Sequence, residues 1–266
     1  VSVFSFALSH AAADMLWEDL KLGSRPYPFE FPYLGQTIDE RRGIRNAVYR
    51  DLESRGLANR GRVAPEVEEA LTLLVRFDFS LNAVASLDPR NVERQLLARG
   101  GAVGENAALA VMDDRQIKVD LMRSPALLRT IVDLVPGSRP GPGQSITVPM
   151  PSSAPPPPPR RDDDFGNATF TQAMAPRSTA STQVRALEAV FERPRLRAGQ
   201  FGVTVRGRHG REQRAPQVAW FDNDQGRYMS QTRQGQDGRK WLTHAPADNA
   251  RIAAQLAQEL NGLLNN

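Results

Sequence analysis

A chain of 266 residues can form one large domain or two small ones, in either case with a well-buried core. Hydrophobic residues make up 40% and charged residues 24%, an ordinary globular composition, and no apolar run approaches the roughly 20 residues of a membrane-spanning helix. Cysteine is absent, which excludes disulfides, thiolate metal sites and cysteine nucleophiles, and the three histidines (His10, His209, His244) do not share a helical turn, so neither a metal nor another cofactor is expected. The formal charge of +4 is small for a dedicated nucleic-acid binder. Only Lys21, Lys118 and Lys240 are lysine; every other basic residue is arginine. That bias fits a GC-rich genome and equally fits a surface built for bidentate contacts with protein partners.

The opening Val1–Leu8 alternates apolar and small residues at period two, which predicts a strand. It has no basic n-region of a secretory signal, so the expected location is the cytoplasm. Ala12 to Leu20 predicts a helix with Leu16, Trp17 and Leu20 on one face and Gly23 as its stop. Thr37-Ile-Asp-Glu40 is a capping box, and the helix it opens carries Ile44, Val48 and Leu52 at four-residue spacing before Gly56. Pro65 sits at a first helical position ahead of the stripe Val67, Ala70, Leu71, Leu74, Val75. Phe77 to Leu81 alternates as a strand, Val92 to Leu97 more weakly, and Gly100 to Gly104 reads as a turn. Ala108–Val111 and Ile117–Leu121 flank Asp113–Gln116 as a hairpin, and Ser124-Pro125 opens a helix with Leu127, Leu128, Ile131, Leu134 and Val135 inward.

Ten of the twenty prolines lie between Pro136 and Pro159, followed by Arg160-Arg-Asp-Asp-Asp164. Polyproline II is the natural state of such a stretch, as a semi-rigid linker or as a ligand for proline-binding folds. Within it, Ser145–Val148 has strand character and could dock on the body. The chain therefore divides into an N-terminal half 1–135, a Pro-rich linker 136–165 and a C-terminal half 166–266. In the second half Gln183–Arg193 predicts an amphipathic helix, and Phe201–Val205, Val218–Phe221 and Gly226–Thr232 predict strands. Arg239–Leu242 then enters a final helix through Ala245-Pro246, with Ile252, Leu256 and Leu260 at four-residue spacing. Leu121 and Leu242, Pro125 and Pro246, Ile131 and Ile252 are each 121 apart. The echo predicts two pseudo-symmetric halves sharing one antiparallel sheet with helices on one side, an α+β fold.

No Gly-x-Ser-x-Gly elbow, His-Glu-x-x-His helix or phosphate-binding Walker loop occurs, so no catalytic residue is assigned. Asp162–Asp164 and Asp222-Asn-Asp224 could seat a hard cation, but one lies in the linker and the other at a hairpin turn, where solvated acid runs are the simpler reading. Arg206, Arg208 and Arg211 around His209-Gly210 suggest RNA or an exposed hairpin tip that meets a partner. Helices near 38–55 and 65–76 have the order of a winged helix-turn-helix, yet the connection is too long and Glu66, Glu68 and Glu69 on the second helix would repel phosphates.

Phe6-Ala-Leu-Ser-His10…Leu16-Trp17, Glu40-Arg-Arg and Asp51-Leu-Glu-Ser-Arg-Gly56-Leu resemble the N-terminal half of the EspG family, the secretion-associated proteins of actinobacterial type VII (ESX) systems. Gly199-Gln-Phe-Gly-Val203, Arg214-Ala-Pro216…Trp220-Phe-Asp222…Gly226-Arg-Tyr228 and Gly238–Asp248 resemble its C-terminal half. The resemblance covers nearly the whole chain, although the Pro-rich stretch 151–164 is longer than the family's usual connection. It implies a single EspG-like domain: a central antiparallel sheet flanked by helical bundles, with quasi-two-fold symmetry. It implies a cytosolic chaperone, not an enzyme, that binds PE–PPE heterodimers at the apolar PPE tip, keeps them soluble and directs them to their secretion system. The contacts would come from the loop Ser86-Leu87-Asp88-Pro89-Arg90-Asn91 and from exposed helical positions at Arg251, Gln255 and Glu259. Leu87 and Pro89 would meet the tip and Arg90 its carboxylates or a helix C-terminus. An ordinary Asp-Pro turn is the other reading of the same loop. The expected state is a monomer or weak homodimer, with no membrane association and no nucleic acid. The alternatives are an Arg-rich nucleic-acid-binding protein, whose affinity would fall with salt, and an enzyme whose pocket no motif marks.

Overall fold

The computed structural model describes residues 4–91, 95–150, 190–207, 209–235 and 238–265. Strand β1 (Phe4–Ser9) runs straight into helix α1 (His10–Asp19), whose first turn is capped by the Ser9 hydroxyl accepting from Ala12 N. Both halves of the capping box at Thr37 and Glu40 form at the start of α2 (Ile38–Ser54). A two-residue ribbon, β2 (Ala58–Asn59) with β3 (Arg62–Val63), then leads to α3 (Pro65–Val75), which has Pro65 in its first turn. Strands β4 (Phe79–Ser86), β5 (Gln95–Val103), β6 (Asn106–Met112) and β7 (Gln116–Arg123) follow as a meander, closed by α4 (Ser124–Asp133).

The second half repeats the plan. After β8 (Ile146–Pro149) come β9 (Arg197–Arg206), a short β10 (Glu212–Arg214), β11 (Val218–Asn223), β12 (Gly226–Gln234), β13 (Lys240–Pro246) and α5 (Asn249–Leu264). The sheet order is β1-β7-β6-β5-β4-β9-β11-β12-β13-β8, with β10 beside β9. Each half therefore contributes four meandering strands plus an edge strand, and the two mirror each other about the β4–β9 pair. Leu81 faces Val203 in that antiparallel register, which places the pseudo-two-fold axis close to this pair. Ile131 and Ile252, the echoed pair, are both wholly buried. The start of the Pro-rich stretch belongs to the body, because β8 pairs with β13 at the sheet edge. The proline run 155–159, the acid run 162–164 and most of the helix expected at 183–193 lie outside the described residues.

Helices pack on both faces, not on one side. Along β6, Ala108, Ala110 and Met112 join a core with α1, α2 and α3, while the alternating Ala107 and Leu109 join a second core with α4 and α5. A strand buried on both sides reads as a continuous apolar run, which is what Ala107–Met112 is. The pair Gly100-Gly101, expected in a turn, lies inside β5. A Cβ on Gly101 would sit 2.0 Å from the Leu73 carbonyl oxygen of α3, and one on Gly100 would sit 2.5 Å from Leu127 Cδ1 of α4. The two glycines let helices approach the sheet from opposite sides, and the turn itself comes at Gly104.

Polar ties fix the helices laterally. Buried Asp14 on α1 accepts from Arg25 NH2 (2.8 Å), Arg41 NH1 (2.9 Å) and Leu34 N (2.9 Å), so one carboxylate joins α1, the irregular segment after it and α2. Hydrogen bonding from Arg41 holds Glu18 below the usual carboxylate range. In the second half Asp222 is buried against Arg227 and does not form part of a solvated acid run; Asp224 pairs with Arg193 at 2.6 Å. Pro246 ends β13 rather than opening the last helix, which starts with Asp248 capping Arg251 N at 2.8 Å.

Candidate functional site

Strand β4 runs out at Ser86, and its connection to β5 turns immediately. Asp88 Oδ1 accepts from Arg90 N at 3.0 Å and the Asp88 carbonyl accepts from Asn91 N at 3.0 Å. Pro89, with its fixed φ, suits the second position of such a turn. The turn holds Pro89, Arg90 and Asn91 outward and exposed, while Ser86, Leu87 and Asp88 are half-buried and Leu87 packs against the second core. The loop is thus an Asp-Pro turn that also projects an apolar ring and a guanidinium into solvent; the remainder of the connection lies outside the described residues.

Register brings more of the chain to this end of the sheet. Ser86 pairs with Ala198, so Leu196, two residues before that pair, lies at the same end of the sheet. Leu196 is 52% exposed, and its amide is held by the Asp222 carbonyl at 2.8 Å. Leu196 is an exposed apolar residue at this end of the sheet that the sequence reading missed. The available signal was a lone leucine among Arg193, Arg195 and Arg197 immediately before a strand.

Helix α5 begins at the same end. Its first residue, Asn249, accepts from Arg227 NH1, and Arg227 pairs across the sheet with Asp222 and through it with Arg197. Arg251, two residues on, is exposed near the loop's end of the sheet. Gln255 and Glu259 run away from it, with Glu259 displaced by about 12 Å along the axis from Arg251. Glu259 is not at an exposed position: it is buried, accepts from Gln231 Nε2 (3.0 Å) and Gln255 Nε2 (2.8 Å), and pairs with Arg233. Half-buried Gln255 also donates to Gln231 Oε1 at 3.2 Å. These two side chains lock α5 onto β12 instead of facing outward. The sequence carried the sign: Ile252, Leu256 and Glu259 stand at i, i+4 and i+7, on one inward stripe.

At this end of the sheet stand half-buried Leu87 and the exposed Pro89, Arg90, Leu196 and Arg251. Among the described residues no group of three or more His, Asp or Glu could hold a metal ion, and no helix is long and apolar enough to cross a membrane.

Comparison with known proteins agrees with the architecture. The family model described as the EspG family matches residues 9–258. A search of curated proteins finds no match. Among solved structures, the chain is similar to one in the structure of the Mycobacterium tuberculosis type VII secretion system chaperone EspG5 in complex with the PE25–PPE41 dimer, at 13% identity and a TM-score of 0.66. That similarity covers 97% of this chain and 96% of the other, end to end. At such low identity it speaks for the shared fold.

Proposed function

We propose, from the premise that this chain belongs to the EspG family, that it is a cytoplasmic, non-enzymatic chaperone of a type VII secretion system that binds a PE–PPE heterodimer at the apolar PPE tip. Family membership over 9–258 carries the reading, and the structurally similar EspG5 forms a complex with a PE25–PPE41 dimer. In this reading the Leu87–Pro89–Leu196 patch covers the tip, while Arg90 and Arg251 meet carboxylates or helix C-termini around it. Ser86, Asp88 and Asn91 shape the turn. The whole chain acts as one domain, its halves 1–135 and 166–266 joined through 136–165. Holding one exposed tip needs shape, a modest apolar patch and a polar rim, and no reactive group.

Co-expression with cognate PE–PPE pairs followed by size exclusion at low and high salt tests the proposal. A ternary complex that survives high salt is expected, since apolar burial is little affected by screening. If cognate pairs fail to co-elute while nucleic acid co-purifies at low salt, the chaperone reading is wrong.

A further inference from the structure

A second site lies at the centre of the sheet, on the face opposite α4 and α5. Leu81, Ala83, Phe201 and Val203 turn into the second core, so the alternating Ser80, Asn82, Gly202 and Thr204 of β4 and β9 face the other way. They line a cavity of about 640 Å³ whose walls include Tyr27, Phe77 and β10.

Its charge is unbalanced. Arg99 is 8% exposed; its Nε donates to the Leu74 carbonyl (2.8 Å) and its NH1 to the Tyr27 carbonyl (3.1 Å), and among the described residues no carboxylate pairs with it. Arg206 and Arg214 share a single carboxylate, Glu212, at 2.8 and 3.6 Å. Arg25, the fourth arginine of the lining, is paired with Asp14, so three guanidinium groups stand against one carboxylate. Arg99 and Arg206 also lie over the Phe77 ring, 5.2 and 4.2 Å from its centroid, which fixes the two cations relative to each other. Burial first, then the neighbouring Arg206 and Arg214 charges, pull the Arg99 pKa down to about 10 against the opposing pull of Glu212, and the group stays charged at neutral pH.

Two buried polar atoms of residues in the cavity wall are also unmatched. Ser80, 1% exposed, has a hydroxyl with no hydrogen-bond partner among the described residues, and so does the Asn82 side-chain oxygen. The Asn82 amide can present either its oxygen or its NH2 to the cavity by a half-turn. A buried cation without a counter-charge and a buried hydroxyl without a partner are each costly, and one ligand with several anionic oxygens answers both.

We propose that this cavity binds a small phosphate-bearing molecule, with Arg99 and Arg214 taking the phosphate oxygens and Ser80 and Asn82 donating from the floor. The site is independent of the partner patch, which lies beyond the Ser86 end of β4. Arg99 is the choice for a central cation because its planar fork still offers NH2 after Nε and NH1 are used. A concave site of about 640 Å³ suits a free small molecule better than a nucleic-acid backbone.

Calorimetric titration of the full chain with inorganic pyrophosphate, at fixed ionic strength, tests this, with a parallel titration of double-stranded DNA as the second source of phosphate. Saturable pyrophosphate binding is expected, weakened about tenfold or more by Arg99→Met and by Arg214→Gln. Arg115→Gln on the β6–β7 turn should leave it unchanged. Arg214 is 78% exposed, so its variant keeps the fold even if Arg99→Met disturbs packing. No saturable binding, equal binding by wild type and Arg214→Gln, or DNA binding that outcompetes pyrophosphate would each overturn the proposal.

Discussion

Asp222 and Arg227 face each other across the β11–β12 ladder and close a two-pronged ion pair, Nε to Oδ1 at 2.7 Å and NH2 to Oδ2 at 2.9 Å, with Arg227 wholly buried. The same guanidinium donates to the Pro136 carbonyl at 2.7 Å and to Asn249, and lies 4.5 Å from the Trp220 ring. One side chain thereby ties together a hairpin, the exit from α4 and the start of α5. Asp222→Ala leaves that cation without its counter-charge and should cost roughly 3–5 kcal/mol of stability. Denaturant melts of the variant beside wild type measure the loss.

Gly101 and Gly43 make opposite predictions for the same change. Gly101→Ala would press a methyl onto the Leu73 carbonyl, a backbone atom that can only yield by shifting α3, and should destabilise by at least about 1–3 kcal/mol. Gly43 stands inside α2 with nothing within 4 Å of its would-be Cβ, so Gly43→Ala should stabilise by about 1 kcal/mol. Thermal melts of the two single variants should move in opposite directions.

His244 supplies a pH dependence. It is 2% exposed, stacked near Phe221 and Tyr228, and its Nδ1 meets the Ser230 hydroxyl at 2.8 Å. Burial pushes its pKa from 6.5 down to about 4. Between these values the unfolded chain binds the proton and the folded chain does not, so stability is full above about pH 6.5 and falls as pH drops toward 4, by about 3 kcal/mol in all. Glu18 and Glu212, both held below 4.5 by arginine hydrogen bonds, add their losses only at lower pH. The slope of stability against pH from 6.5 to 4.5 should flatten in His244→Phe.

Where a structural signal is local, the sequence was legible. The Thr37 capping box, Pro65 in the first turn of α3 and the hairpin around Asp113–Gln116 all depend on neighbours in the chain, and each forms. The 121-residue echo also anticipates the mirrored halves of the sheet. Long-range contacts were not legible. Gly100-Gly101 has the composition of a turn, and only the helices pressing from either face make it a strand. Asp222 looks like a solvated acid until Arg227 is known to lie opposite. Pro246 matches Pro125 by spacing, but the strand pairing Tyr228–Pro246 extends β13 past the point where the echo starts a helix. At the candidate site the Asp-Pro turn was visible, whereas Leu196 comes to the same end of the sheet only through the β4–β9 register.

Docking of a PE–PPE tip at the Ser86 end of the sheet, proposed above, is tested by a binding titration against a purified cognate heterodimer. Arg90→Glu reverses an exposed charge whose side chain has no role in the core, and Arg123→Glu reverses one at the opposite end of the sheet, where β7 finishes beside Asn106. The predicted result is one chaperone per heterodimer, with affinity at least about tenfold weaker for Arg90→Glu and unchanged for Arg123→Glu. Equal affinity for wild type and Arg90→Glu, or a loss confined to Arg123→Glu, would contradict it.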